Sequence, residues 1–198
     1  MQNMKQTLLL SIPILACFLL FSCGQKNVQN DLDAETYQQL LKTGSEVSAQ
    51  AQASLLAHVS SAMKQGGSLY AVEFCKLKAS SITDSLSNQY NCTISRVSEK
   101  NRNPENNLKT EADKQLWAWA HQLDEPMKDT VVVVKSKAVY YKPIRTGLPA
   151  CLQCHGPVET IAPETYQKLQ TLYPNDLATG YQLNELRGLW KIEFAQKN

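Results

Sequence analysis

The chain is short of the features that would assign it by composition alone. Charged residues make up 19% of its 198 positions and balance to a formal +2. That excludes a disordered polyelectrolyte and leaves no basic excess for nucleic acid. Eight glycines and eight prolines exclude a collagen-like or linker-dominated architecture. Three histidines form no Ser-His-Asp constellation, no paired carboxylates stand out, and no glycine-rich loop could cradle a nucleotide, so no enzyme class is assigned. There is no internal repeat.

What is present starts at the N-terminus. After Lys5 comes an apolar stretch, Leu8 to Phe21, too short and too early for a permanent membrane helix. It reads as a secretion signal. The stretch ends Ser22-Cys23-Gly24, which resembles a bacterial lipoprotein box and predicts cleavage after residue 22 with a lipid on Cys23. Residues 1–22 are then a leader, 23–32 a polar tether and 33–198 the folded domain. Loss of Lys5 leaves 19 basic side chains against 18 acidic ones, so no partner is selected by charge. Two or three acyl chains on Cys23 would anchor the domain stably, which one chain would not. The expected place is an extracytoplasmic bacterial membrane surface, on the periplasmic side, where disulfides are tolerated.

Apolar spacing predicts a helix from Asp33 to about Lys64, stopped by Gly66-Gly67, and a second from Leu69 to Leu86 that carries Cys75. Cys92–Ser98 reads as a strand, Glu99–Asn107 as a turn-rich link, and Thr110–Leu123 as a helix with Thr110 as its cap. Val131–Val134 and Ala138–Ile144 predict a hairpin through Lys135-Ser136-Lys137, and Leu189–Phe194 a terminal strand. Helices followed by strands, with one long excursion between Ile144 and Leu189, predict an α+β fold with helices against an antiparallel sheet.

The strong chemical signal is Cys151-Leu152-Gln153-Cys154-His155. Two thiols three positions apart, followed at once by imidazole, suit covalent attachment of one c-type haem: both cysteines form thioethers and His155 reaches the iron. Zinc would ask for a second close pair of ligands, and a thioredoxin-like pair would begin a helix after an early strand. By chemistry alone the second axial position is open to Met63, Met127, His58, His121, Cys75 or Cys92. His58 falls on the apolar side of its helix and reads equally as a core histidine, and Cys75 with Cys92 reads equally as a disulfide.

Four stretches carry a resemblance to a known family. They are Ala71–Cys75; Arg96-Val97-Ser98 with Arg102–Asn106; Tyr140–Ile144 leading to Cys151–Gly156; and Tyr173–Asp176 with Ala178–Tyr181. Here the chain resembles the bacterial c-type haem domains with a PAS-like fold that also serve as sensor regions of histidine kinases. The resemblance implies a PAS-like sheet flanked by helices, with a long N-terminal helix and a haem-binding insertion. It implies Cys75 as the distal iron ligand opposite His155, leaving Cys92 as a spare thiol. Within that frame Arg96 and Arg102 are candidates for the haem propionates, because guanidinium matches carboxylate through two parallel hydrogen bonds. Tyr140, Tyr141 and Lys142 are candidates to line the haem edge, and Tyr173–Asp176 a turn that shapes the pocket. The function expected first is a lipid-anchored monohaem electron carrier or redox partner. The alternative is a redox or diatomic-gas sensor acting through a signalling protein, with a second copy of the chain as a further partner.

Overall fold

The computed structural model describes residues 32–122 and 126–195; the leader, Cys23 and most of the tether lie outside them. Helix α1 is Ala34–Tyr90. It starts where the Asp33 carboxylate accepts from the Thr36 amide at 2.8 Å, a side-chain N-cap. Gly44, Val47, Ser48, Ala51 and Leu55 are among its buried residues before the break, a stripe at the spacing of one helical face. The break falls at Gly66-Gly67, as the sequence predicts. Gly67 has φ +67° and ψ −163°, a conformation open essentially to glycine alone. The helix ends at Asn91 in the left-handed region, and the Ser87 hydroxyl accepts from the Ile94 amide at 2.9 Å, tying the helix end to the first strand.

The sheet has four strands, β1 Cys92–Val97, β2 Thr130–Val134, β3 Lys137–Arg145 and β4 Leu186–Phe194, in the order β1-β4-β3-β2. Every neighbouring pair is antiparallel. Lys135 and Ser136 both have positive φ, the turn whose twist matches a two-residue hairpin. Strand side chains alternate between faces. Ile94, Tyr140, Trp190 and Ile192 pack with Val47, Ala51 and Leu55 of α1. Val97, Val139, Tyr141 and Leu189 pack with Leu116 and Trp117 of α2, Glu111–Gln122. Thr110 caps α2, its hydroxyl accepting from the Asp113 amide at 3.1 Å while the Asp113 carboxylate accepts from the Thr110 amide at 2.8 Å, a reciprocal arrangement like a capping box.

The excursion between β3 and β4 contains α3, Pro149–His155, a 3-10 turn at Val158–Thr160, and α4, Pro163–Leu172. Helix α4 docks on α1 just past the break. Ser68 and Thr165 hydroxyls meet at 2.7 Å, Lys168 pairs with Glu73 at 2.7 Å, and Val72 packs with Leu169 and Tyr173. This contact fixes the α1 segment that carries Cys75. Among the described residues no helix is long and apolar enough to cross a membrane.

Candidate functional site

Segments of α1 on either side of its break, the adjoining ends of β1, β3 and β4, and α3 line a cavity of about 630 Å³. Its lining includes Cys75, Arg96, Arg102, Cys151, Cys154 and His155. Residues far apart in the sequence therefore share one chamber. Pro149 stands at the first position of α3, where its fixed φ suits a helix start. One helical turn then places Cys151, Cys154 and His155 at spacings of three and four, on one face.

The His155 ring is held from behind. Its Nδ1 donates to the Ala178 carbonyl at 2.7 Å; since a carbonyl only accepts, Nδ1 carries the proton and Nε2 is left with its lone pair. A backbone carbonyl on the far nitrogen is the common way of orienting a metal-binding histidine. Burial, with the Arg187 and Arg102 charges, holds the imidazole well below its usual pKa, so it is neutral. The Tyr181 amide donates to the His155 carbonyl at 2.9 Å and the Gly180 amide to the Gly156 carbonyl at 2.8 Å. The Ala178–Tyr181 segment thus forms the backing of α3.

Arg102 lines the cavity and is also engaged inside the protein. Its Nε donates to Asp176 at 3.0 Å and its Nη2 to the carbonyls of Cys154 at 2.6 Å and Ala178 at 3.2 Å. Asp176 also accepts from the Ala178 amide at 2.8 Å. With these donors engaged inside the protein, Arg102 clamps α3 to the loop behind His155. Asp176 is its counterion as well as the last residue of the expected turn, its amide donating to the Tyr173 carbonyl at 3.0 Å.

Arg96 keeps the expected place. It lines the cavity with its guanidinium 5.8 Å from the Trp190 ring centroid, and among the described residues it has no hydrogen bond or ion pair. Burial lowers its pKa. Sequence reasoning missed Arg187 of β4 as a site residue. It lines the cavity, its Nη1 donates to the Lys100 carbonyl at 3.1 Å, and its buried Nε has no partner among the described residues. Burial, reinforced by neighbouring arginines, pushes it down to about 10. The missed signal was a lone arginine at the start of an otherwise largely apolar strand.

Cys75 reaches the cavity from the second half of α1. Burial pushes its thiol up while Arg96 and Arg102 pull it down; burial likewise pushes Cys154 up to about 11. Cys75, Cys92, Cys151 and Cys154 are all unbridged, so the Cys75–Cys92 disulfide is not formed, and Cys92 packs at the start of β1 with the α1 core. Met63 also lines the cavity. Met127 is buried on the α2 face and His121 bonds the Trp117 carbonyl at 2.9 Å. His58 is exposed and bonds the Ser54 carbonyl at 2.7 Å; it is not a core histidine.

Tyr140, Tyr141 and Lys142 do not line the cavity. Tyr140 and Tyr141, being adjacent on a strand, point to opposite faces, and both are fully buried. The Tyr140 hydroxyl donates to Asp129 and lies 3.3 Å from the Ser48 hydroxyl; the Tyr141 hydroxyl donates to Asp113 at 2.7 Å. Lys142 pairs with Asp129 at 3.7 Å. All three are structural.

The donor set suits a haem better than a bare ion. Among the described residues no three His, Cys, Asp or Glu side chains cluster as a cage for a metal, whereas a haem iron asks the protein for only one or two axial ligands. His155 supplies a neutral, oriented nitrogen, Cys75 a sulfur from a different element, Cys151 and Cys154 two thiols at the attachment spacing, and the Arg187 Nε an unmet buried donor.

Fold and site together define a PAS-like α+β domain with a Cys-x-x-Cys-His helix beside an arginine-lined chamber. The chain belongs to the Tll0287-like family, whose model matches residues 27–195. Its fold is that of the cyanobacterial haem protein Tll0287, with a TM-score of 0.59 at 20% identity, covering 75% of this chain and 92% of that one. No curated protein matches the chain.

Proposed function

We propose that the protein is a monohaem c-binding sensor module, tethered through acylated Cys23 to an extracytoplasmic bacterial membrane surface, that reports a redox change or a diatomic gas to a partner protein. The observation that carries this reading is the convergence of Cys151, Cys154, His155 and Cys75 on one cavity, with the His155 proton held on the far side of the ring. Cys151 and Cys154 would hold the group covalently, His155 would ligate from the attachment side, and Cys75 would take the distal position. Haem bound there supplies one-electron and gas-binding chemistry.

Family membership and the resemblance to kinase sensor regions support sensing over electron carriage. So does the placement of Cys75 beyond a glycine break, on a segment that docks on α4 instead of continuing the first half of α1. The carrier reading rests on the availability of two protein ligands, which would limit rearrangement between oxidation states.

The test is to express the domain with c-type maturation machinery and measure its mass and its optical and electron paramagnetic resonance spectra. One covalent haem is expected, lost in Cys151→Ala/Cys154→Ala. A low-spin thiolate signal should vanish in Cys75→Ser. Unchanged spectra would remove Cys75 and turn attention to Met63, the other cavity sulfur. Binding of carbon monoxide to the reduced protein supports a sensor; refusal of the gas supports a carrier.

A further inference from the structure

The cavity has a charge imbalance that the attachment motif does not explain. Among the described residues four arginines line it, Arg96, Arg102, Arg145 and Arg187, and no aspartate or glutamate does. Arg102 is neutralised by Asp176 at 3.0 Å. Arg145 is exposed at the rim and donates to the Asn184 carbonyl at 3.0 Å. Arg96 and Arg187 remain as cavity guanidiniums with no carboxylate. Buried cations are ordinarily paired, because removing charge from water is costly unless an opposite charge compensates. An unpaired guanidinium beside a cavity points to an anion that enters the cavity.

The two positions are linked by the sheet. Arg96 lies opposite Trp190 in the β1–β4 register, and Val97 opposite Leu189, so Arg187 on β4 falls just beyond the end of the ladder that carries Arg96. Gly188 keeps the strands close there, since a Cβ at 188 would stand 3.0 Å from the Val97 carbonyl. Arg187 is itself fixed by the Lys100 carbonyl and by the Tyr181 ring, 5.3 Å from the guanidinium carbon. Both arginines are held by strand backbone rather than by a loop, as a recognition pair needs to be.

We propose that Arg96 and Arg187 form a two-carboxylate recognition pair at the sheet end of the cavity, in which Arg187, and not Arg102, is the second partner of the haem propionates. The inference rests on the haem reading above. The three interior arginines then have separate roles. Arg102 holds α3 and its histidine in place, while Arg96 and Arg187 hold the carboxylates. The pair would set which way round the macrocycle enters before the thioether bonds fix it.

The test separates propionate recognition from covalent attachment. Apoprotein carrying Cys151→Ser and Cys154→Ser, its fold checked by circular dichroism, is titrated with ferric haem and with ferric haem dimethyl ester, whose carboxylates are masked. The parent should prefer the free acid by at least about tenfold, roughly one charge-assisted hydrogen bond. Arg187→Leu and Arg96→Leu should each bring that preference close to unity, and Arg187→Lys should restore part of it. A preference that survives Arg187→Leu unchanged overturns the assignment, as does a parent that binds both forms equally. Succinate binding as tightly as haem would assign the pair to a free diacid and equally overturn it.

Covalently loaded protein supplies the second readout. Infrared bands of isotope-labelled propionates should show ionised carboxylates across the neutral range in the natural sequence and a titrating carboxyl in Arg187→Leu. Identical bands in both would count against the pair. Haem bound without propionate preference sinks only this inference; no haem by either route sinks the function with it.

Discussion

At the scale of single residues, the Arg102–Asp176 pair shows how a side chain can serve a site without touching its ligand. Both side chains are nearly buried, at 12% and 10% exposure. Asp176→Asn removes one charge and leaves the other enclosed, for which about 3–5 kcal/mol of destabilisation is expected. Equilibrium urea unfolding measures it. Arg102→Lys should recover little, because a point charge cannot reach Asp176 and two carbonyls in the geometry of a planar fork. Both residues stand out in the sequence as parts of motifs, and the Tyr173–Asp176 turn forms as expected, but their pairing with each other was not read from it. Arginine chemistry is legible in a sequence, whereas the acceptor that occupies each nitrogen depends on loops 74 and 76 positions away.

At the scale of elements, the two glycines of α1 do opposite things. Gly44 is a place of contact: a Cβ there would stand 2.3 Å from the Tyr140 ring, so Gly44→Ala should cost about 1–3 kcal/mol through overpacking. A Cβ at Gly67 would meet nothing within 4 Å, so Gly67→Ala should cost about 1–3 kcal/mol through backbone conformation alone. Denaturant midpoints measure both. Shrinking Tyr140 to Leu should relieve the first substitution and leave the second untouched, a difference a double-mutant cycle would show. The break at Gly66-Gly67, the Thr110 cap and the hairpin through Lys135-Ser136 were all legible, because each arises from local backbone chemistry. The contact between Gly44 and Tyr140 was not, since it joins a helix to a strand far along the chain.

At the scale of the whole molecule, the face of the sheet away from the cavity is held by a buried ionic group. Asp113 accepts from Tyr141 at 2.7 Å and pairs with Lys191 at 3.2 Å. Burial alone would raise its pKa, but the Tyr141 hydroxyl, the Thr110 amide and Lys191 outweigh it and hold the carboxyl below its usual range. A carboxyl lowered in the folded state stabilises fully above its unfolded value, about 3.9, and that contribution is lost as pH falls through the lower folded value. Unfolding free energy should therefore fall with pH below about 4, and Asp113→Asn should flatten that slope while lowering stability at neutral pH. Urea titrations at a series of acidic pH values check both.

By itself the sequence determined what depends on neighbours along the chain: the segments of α1, α2 and the four strands, the break in α1, the antiparallel α+β class, and the Cys151, Cys154, His155 attachment spacing, though not the helices of the excursion. Tertiary structure alone decided which side chains meet. It placed Tyr140 and Tyr141 on opposite faces and out of the cavity, turned His58 outward, engaged Arg102 with Asp176, and brought Arg187 beside Arg96. The physical reason is that backbone propensity and motif spacing act over a few residues, while the partner of a buried charge is set by the register of strands and the docking of helices that the chain brings together only on folding.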